Sequence, residues 1–224
     1  MQESLRQLQE LVDQFNEADD PDQRDDILAD IIRHDSPQVN DFLRLVVAQQ
    51  GEDQYTRADA YVGLYTRTRG AEGKAQLLAY LGDTQNAYPY CVSAEAVAEV
   101  PAPDAEALLR SALDKPLRTE ALLATVSALE RLAPEATAQF FIARLLALHD
   151  PEKLDYGQCD LMLKSLATSG LTAFIPKLRE VGAHYFAMAK KFPADQDDLE
   201  EFSDQALESA AQLGLEEPKV GDDE

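Results

Sequence analysis

The chain predicts an all-α protein of antiparallel helical hairpins stacked as a short solenoid, and three observations carry that prediction. Apolar residues recur at three- and four-residue spacing in one segment after another. No convincing period-two alternation of a half-buried strand interrupts them. Finally, the segments FLRLVVAQQ, QLLAYLGD, ALLRSALD and ARLLALHD recur, which places Leu43, Leu77, Leu108 and Leu145 at separations of 34, 31 and 37 residues. A two-helix unit of that length cannot cover its own apolar face, so it must stack on others like itself.

Taken in order, residues 3–18 set Leu5, Leu8, Val12 and Phe15 on one helical face. Pro21 opens a second helix with Ile27, Leu28, Ile31 and Ile32 as its stripe; proline suits a first turn because its missing N–H would be unpaired there anyway. After Asp35-Ser36-Pro37 a third helix shows Val39, Phe42, Leu43 and Val46, and a fourth from Gln54 shows Ala58, Tyr61, Val62 and Tyr65. Residues 117–132 and 135–148 are two further apolar segments joined only by Ala133-Pro134, a connector short enough to predict one antiparallel hairpin. Tight connectors (Arg69-Gly70, Pro101-Ala102-Pro103, Ala133-Pro134, Ser169-Gly170) alternate with looser acidic turns at Asp53, Asp83, Asp114 and Asp150. The expected array has ten to thirteen helices, with each tight connector at the centre of a hairpin.

The unit with Cys159, Met162, Leu163 and Leu166 on its first helix, then Ser169-Gly170-Leu171 and Phe174-Ile175-Pro176-Lys177-Leu178, resembles a HEAT repeat with a short turn and a proline-opened second helix. Residues 117–124, with Arg118 followed by small residues, resemble a HEAT first helix. The resemblance covers residues 38–192, departs from the family in its uneven repeat lengths and its long turn at Gly82–Tyr90, and implies an architecture, not a functional residue. The expected organisation is one solenoid domain over residues 1–213: capping helices at 1–37, repeats at 38–192, a capping helix at 193–213. A disordered acidic tail is expected at 214–224.

Twenty basic against forty-two acidic residues give a net charge of −22, which repels phosphate backbones and anionic headgroups and argues against nucleic-acid or membrane partners. The excess sits at the ends: residues 1–50 carry 12 acids and 4 bases, and residues 193–224 carry 12 and 1. Such ends serve either as polar caps that keep a solenoid soluble or as surfaces that recruit a cationic protein. The amphipathic acidic start does not read as a secretory signal, and no stretch reaches the roughly 18 apolar residues of a membrane span. Two cysteines, Cys91 and Cys159, fit a reducing cytoplasm, bacterial in style, and are expected as core thiols.

Chemistry-bearing motifs are scarce. His34, His149 and His184 have no Cys or second His at metal-ligand spacing. The run Asp19, Asp20, Asp22, Asp25, Asp26 and Asp30 lacks the turn glycine of a calcium loop and reads as helix capping. No phosphate loop, nucleophile elbow or HExxH helix is present, so no catalytic residue, metal or cofactor is expected. Six of the eight tyrosines fall between Tyr55 and Tyr90; Tyr61 and Tyr65 read as core, whereas Tyr88-Pro89-Tyr90, in the long turn, fits interface anchoring as well as packing.

The expected function is non-enzymatic: a monomeric protein-binding module for a cationic partner, in the form of a toxin-neutralising immunity protein or an adaptor. Tyr88, Tyr90, Asp83, Asp114 and Asp150 are the expected partner-binding residues. A HEAT-like enzyme such as a bilin-lyase-type protein is the alternative.

Overall fold

The computed structural model describes residues 2–49 and 51–215. Among these, twelve α-helices pack on their neighbours and no strand occurs: α1 Gln2–Glu17, α2 Pro21–Arg33, α3 Gln38–Ala48, α4 Gln54–Arg67, α5 Lys74–Gly82, α6 Ala87–Glu99, α7 Ala105–Ala112, α8 Thr119–Leu132, α9 Pro134–Ala147, α10 Tyr156–Thr168, α11 Ile175–Ala189 and α12 Gln196–Leu215. None is long and apolar enough to cross a membrane. The helices start where the acids and prolines predict: Asp20, Asp53 and Asp155 accept backbone N–H groups at the heads of α2, α4 and α10, and Pro21 and Pro134 occupy first turns. Beyond the expected cap helix, α12 carries on through Gly214 and Leu215; residues 216–224, the rest of the expected tail, lie outside the described residues.

Two compact units divide the chain, Met1–Ala128 and Leu129–Glu224. The boundary falls inside α8, so the expected 117–148 hairpin is not one packing unit: most of α8 belongs to the first unit and α9 to the second.

In the first unit α3 packs extensively on α4 and α5 on α6, while α4 touches α5, and α6 touches α7, much less. The hairpins α3–α4 and α5–α6 are therefore closed by the acidic turns at Asp53 and Asp83, one helix off the expected register. The two kinds of connector differ little in length, residues 49–53 and 83–86 against 68–73 and 100–104, so either permits a chain reversal and connector length does not choose the partner. Like-numbered helices also stack, α2 on α4 and α4 on α6. The sequence period then reappears as contacts one repeat apart. Arg24 bonds Glu52, Asp25 bonds Thr56, Asp59 bonds Tyr88 and Tyr65 reaches the Val100 carbonyl, at separations of 28, 31, 29 and 35 residues. The core of this unit includes Phe15, Leu28, Ile31, Leu43, Tyr65, Leu77 and Tyr90, all essentially without exposure.

Two features pin its turns. Arg67 spends its whole guanidinium on the α2–α3 turn, donating to the Ile32, His34 and Ser36 carbonyls and to Asn40 at 2.8–2.9 Å. After α4 the Gly70 N–H returns to Tyr65 O at 2.8 Å and Arg69 N–H to Thr66 O at 3.1 Å, a Schellman ending with Arg69 (φ 51°) in the left-handed region that glycine normally fills.

In the second unit α11 packs most closely on α12, α12 also lies on α10, and α9 contacts α10 and α11. Small residues allow the α11–α12 approach: a Cβ on Gly182 would stand 3.0 Å from Leu207 Cγ, and Ser203 Oγ donates to the Gly182 carbonyl at 2.9 Å. Phe141, Leu145, Leu163, Tyr185, Leu199 and Leu213 are buried here.

Candidate partner-binding surfaces

Because α2, α4 and α6 stack, residues at their leading turns meet on the surface of the first unit. Asp59, half-buried on α4, accepts the Tyr88 hydroxyl of α6 on both carboxylate oxygens, at 2.8 and 3.0 Å. The Tyr88 ring meets Tyr55 edge to face with centroids 5.1 Å apart, and these rings keep 40% and 44% of their surface exposed. Asn86 bonds Gln54 at 3.0 Å alongside.

Behind the rings, the buried Thr56 hydroxyl sits 2.9 Å from Asp25 Oδ1 and also against Asp53 Oδ2. A hydroxyl has one proton to give, so it satisfies both carboxyls only if one is protonated. The two differ accordingly. Burial pushes Asp25 above the usual carboxylate range, with the charges of Asp53 and Asp22 adding to the effect. Burial also raises Asp53, but bonds from the Thr56 hydroxyl and from the Thr56 and Tyr55 N–H groups outweigh it and leave Asp53 lowered. Asp59 is pushed up to about 6, first by burial and then by the charges of Asp25 and Asp53, despite the Tyr88 bond. Burial and Asp59 together raise the Tyr88 phenol well above its ordinary value.

In the second unit α10 and α12 flank a groove of about 620 Å³ lined by Tyr156, Asp160, Lys164, Asp198, Glu201 and Phe202, among others. Tyr156, 37% exposed, stacks on Phe202 at 5.4 Å, and Lys164 is bound by Asp160 at 2.7 Å. The rest of the face is acidic, since α12 carries Asp197, Asp198, Glu200, Glu201, Asp204 and Glu208 and no Lys or Arg.

Of the five expected binding residues, Tyr88 takes part in these arrangements. It lies in the first turn of α6, not in a long turn. Tyr90 is a correction: it is fully buried and donates to Thr125 Oγ1 at 2.6 Å, since Thr125 spends its own proton on the Ala121 carbonyl. A side chain with no exposed surface packs the core and cannot anchor a partner on this fold. Asp83 and Asp150 serve local turns, accepting from Gln85 N–H and Glu152 N–H at 3.2 Å, and Asp150 pairs with Lys153; Asp114 is exposed just after α7. Sequence reasoning missed Tyr55, Asp25, Thr56 and Asp59. The signal that would have found Asp59 and Thr56 is their offset of about one repeat from Tyr88 and Asp25.

The remaining candidate groups sit in structural surroundings. His34 Nδ1 accepts from Ser36 N–H at 3.2 Å, His184 Nε2 lies 2.6 Å from the Leu148 carbonyl, and Cys159 is buried 4.0 Å from the Tyr185 hydroxyl while Cys91 is half-buried. Burial raises both thiols, Cys159 to about 11. Among the described residues no three His, Cys, Asp or Glu side chains are grouped to hold a metal ion. Comparison with protein-family models, with curated proteins and with solved structures finds no match.

Proposed function

We propose that this chain is a non-enzymatic protein-binding module of HEAT-like repeats that captures a cationic protein, with a toxin-neutralising immunity protein or an adaptor as its concrete form. The observation that carries the reading is the pairing of exposed tyrosine with surplus carboxylate in each unit: Tyr55 and Tyr88 beside Asp59, and Tyr156 beside Asp198 and Glu201. Aromatic rings bury much area at low entropic cost, and unmatched acids steer a basic surface toward them. The hydrogen bonds one repeat apart support the repeat architecture.

The test is capture of partners from the native lysate, followed by association and dissociation kinetics of the purified pair over a salt series. A basic partner whose association slows with salt much more than its dissociation quickens is the expected result, because exposed charges act mainly on encounter and are screened beyond about 8 Å at physiological salt. An acidic or nucleic-acid partner, or an association rate indifferent to salt, refutes the reading.

A further inference from the structure

We propose that the corner formed by Tyr55, Asp59 and Tyr88 is the seat of one arginine side chain from a basic protein segment. The inference rests on the protein-binding reading for its class of partner and adds where and how that partner is gripped.

The charges around Asp59 leave a place for a cation. From α2 it faces Asp25, from the head of α4 it faces Asp53, and from α6 it faces the Tyr88 hydroxyl. Arg24 bears on the neighbouring carboxyls, holding down both Asp25 and Asp53 against burial, but no described base acts on Asp59 itself. Arg24 of α2 is held by Glu52 at 2.7 Å over the Phe15 ring, Arg57 of α4 lies against Tyr80 of α5, Arg44 of α3 binds Asp41 and Glu72, and Lys74 of α5 pairs with Asp104. Asp59 thus meets two exposed rings with no base directed at it among the described side chains, while Asp25 and Asp53 add their charge from behind, across Thr56. A metal ion does not suit this geometry. A guanidinium does: it brings its own fork of donors to a carboxylate and a flat face to a tyrosine, whereas an ammonium offers only a point charge.

The free corner is a stored cost that such a ligand relieves. Asp59 titrates at about 6 against an ordinary 3.8, so the folded chain favours its protonated form. That contribution to stability is complete below the ordinary value and is lost as pH rises through 6; at neutral pH the site holds a charge its surroundings disfavour. A bound arginine reverses the preference and pulls the Asp59 pKa down, so capture weakens as pH falls through about 6. Asp59→Asn keeps an acceptor for Tyr88 and removes the charge, so it should raise the thermal midpoint at neutral pH while weakening binding. A merely structural carboxylate would not move these two readouts in opposite directions.

The experiment titrates the full chain with a capped peptide of arginines spaced by glycine, and with its lysine and citrulline counterparts, at neutral pH and at pH 5, while carboxyl-carbon NMR follows Asp59. The seat predicts that the arginine peptide binds best, that citrulline abolishes binding, and that saturation lowers the Asp59 midpoint. Asp59→Asn should cost about tenfold or more in affinity while the equally charge-changing control Asp35→Asn stays within about twofold. Equal affinity for Asp59→Asn and the native chain, or an Asp59 midpoint indifferent to peptide, overturns the seat even if the peptide binds, and the capture of a basic partner then stands on another surface. A non-basic partner in the capture experiment overturns the broader reading whatever this corner does.

Discussion

Replacing Arg67 by methionine keeps an unbranched apolar stem and deletes the four hydrogen bonds that tie α4 to the α2–α3 turn. Three of the acceptors are backbone carbonyls: those of Ile32 and His34 lie at the end of α2, where helix geometry leaves carbonyls without internal partners and concentrates the negative end of the helix dipole, and that of Ser36, which also accepts the Val39 N–H, leads into α3. A hydrogen bond from a charged donor contributes about 1.5–3 kcal/mol, and water entering this half-buried turn recovers part of what the acceptors lose. The expected net loss is about 2–4 kcal/mol. Lysine should restore part of that loss, because an ammonium cannot span three carbonyls and Asn40 as the planar fork does. The assay is urea unfolding followed by near-ultraviolet tyrosine circular dichroism, which reports mainly the first unit because six of the eight tyrosines lie between Tyr55 and Tyr90. A loss under about 1 kcal/mol for methionine at unchanged denaturant slope would show that the turn holds without the clamp. A double-mutant cycle with Asn40→Ala isolates the side-chain share; coupling below about 0.5 kcal/mol would assign the whole effect to the carbonyls.

Other substitutions test separate parts of the fold. Arg69→Gly should stabilise the chain by about 1 kcal/mol, since a left-handed backbone costs a side chain about that much; a loss of stability in urea unfolding would mean that the arginine side chain matters more than its φ. Leu145→Ala, at a fully buried position of α9, should cost about 2–5 kcal/mol, and a change below about 1 kcal/mol would show its surroundings collapsing onto the cavity. Tyr90→Phe removes a buried donor but leaves Thr125 still bonded to Ala121, so it should cost about 1 kcal/mol and leave partner affinity unchanged; weakened binding with an intact fold would restore Tyr90 to the interface.

Much of the architecture is legible in the sequence because it is local. Helix faces follow from three- and four-residue spacing, helix heads from Asp20, Asp53 and Asp155, and a repeat length matched by the α2–α4, α4–α6 and α5–α7 contacts from the spacing of Leu43, Leu77 and Leu108. Of the acidic run, Asp20 caps α2 as expected, by one side-chain oxygen and one N–H, whereas Asp25, inside α2, accepts from Thr56 instead. The pairing register does not follow: both kinds of connector permit a chain reversal, and what selects between them is how much apolar surface each neighbour covers.

The candidate site divides along the same line. Sequence by itself determined the helices, their period and a surplus of acid, since these depend on residue type and short-range spacing. Only the tertiary structure decided that Tyr90 is sealed in the core while Tyr88, two residues earlier, lies partly exposed over Asp59, because successive helical positions point about 100° apart and a neighbouring helix covers one direction and not the other. It also decided that Asp59, undistinguished in sequence, is the carboxylate with the most perturbed titration among its neighbours: desolvation and the company of Asp25 and Asp53 are properties of where helices meet, and no single segment encodes them.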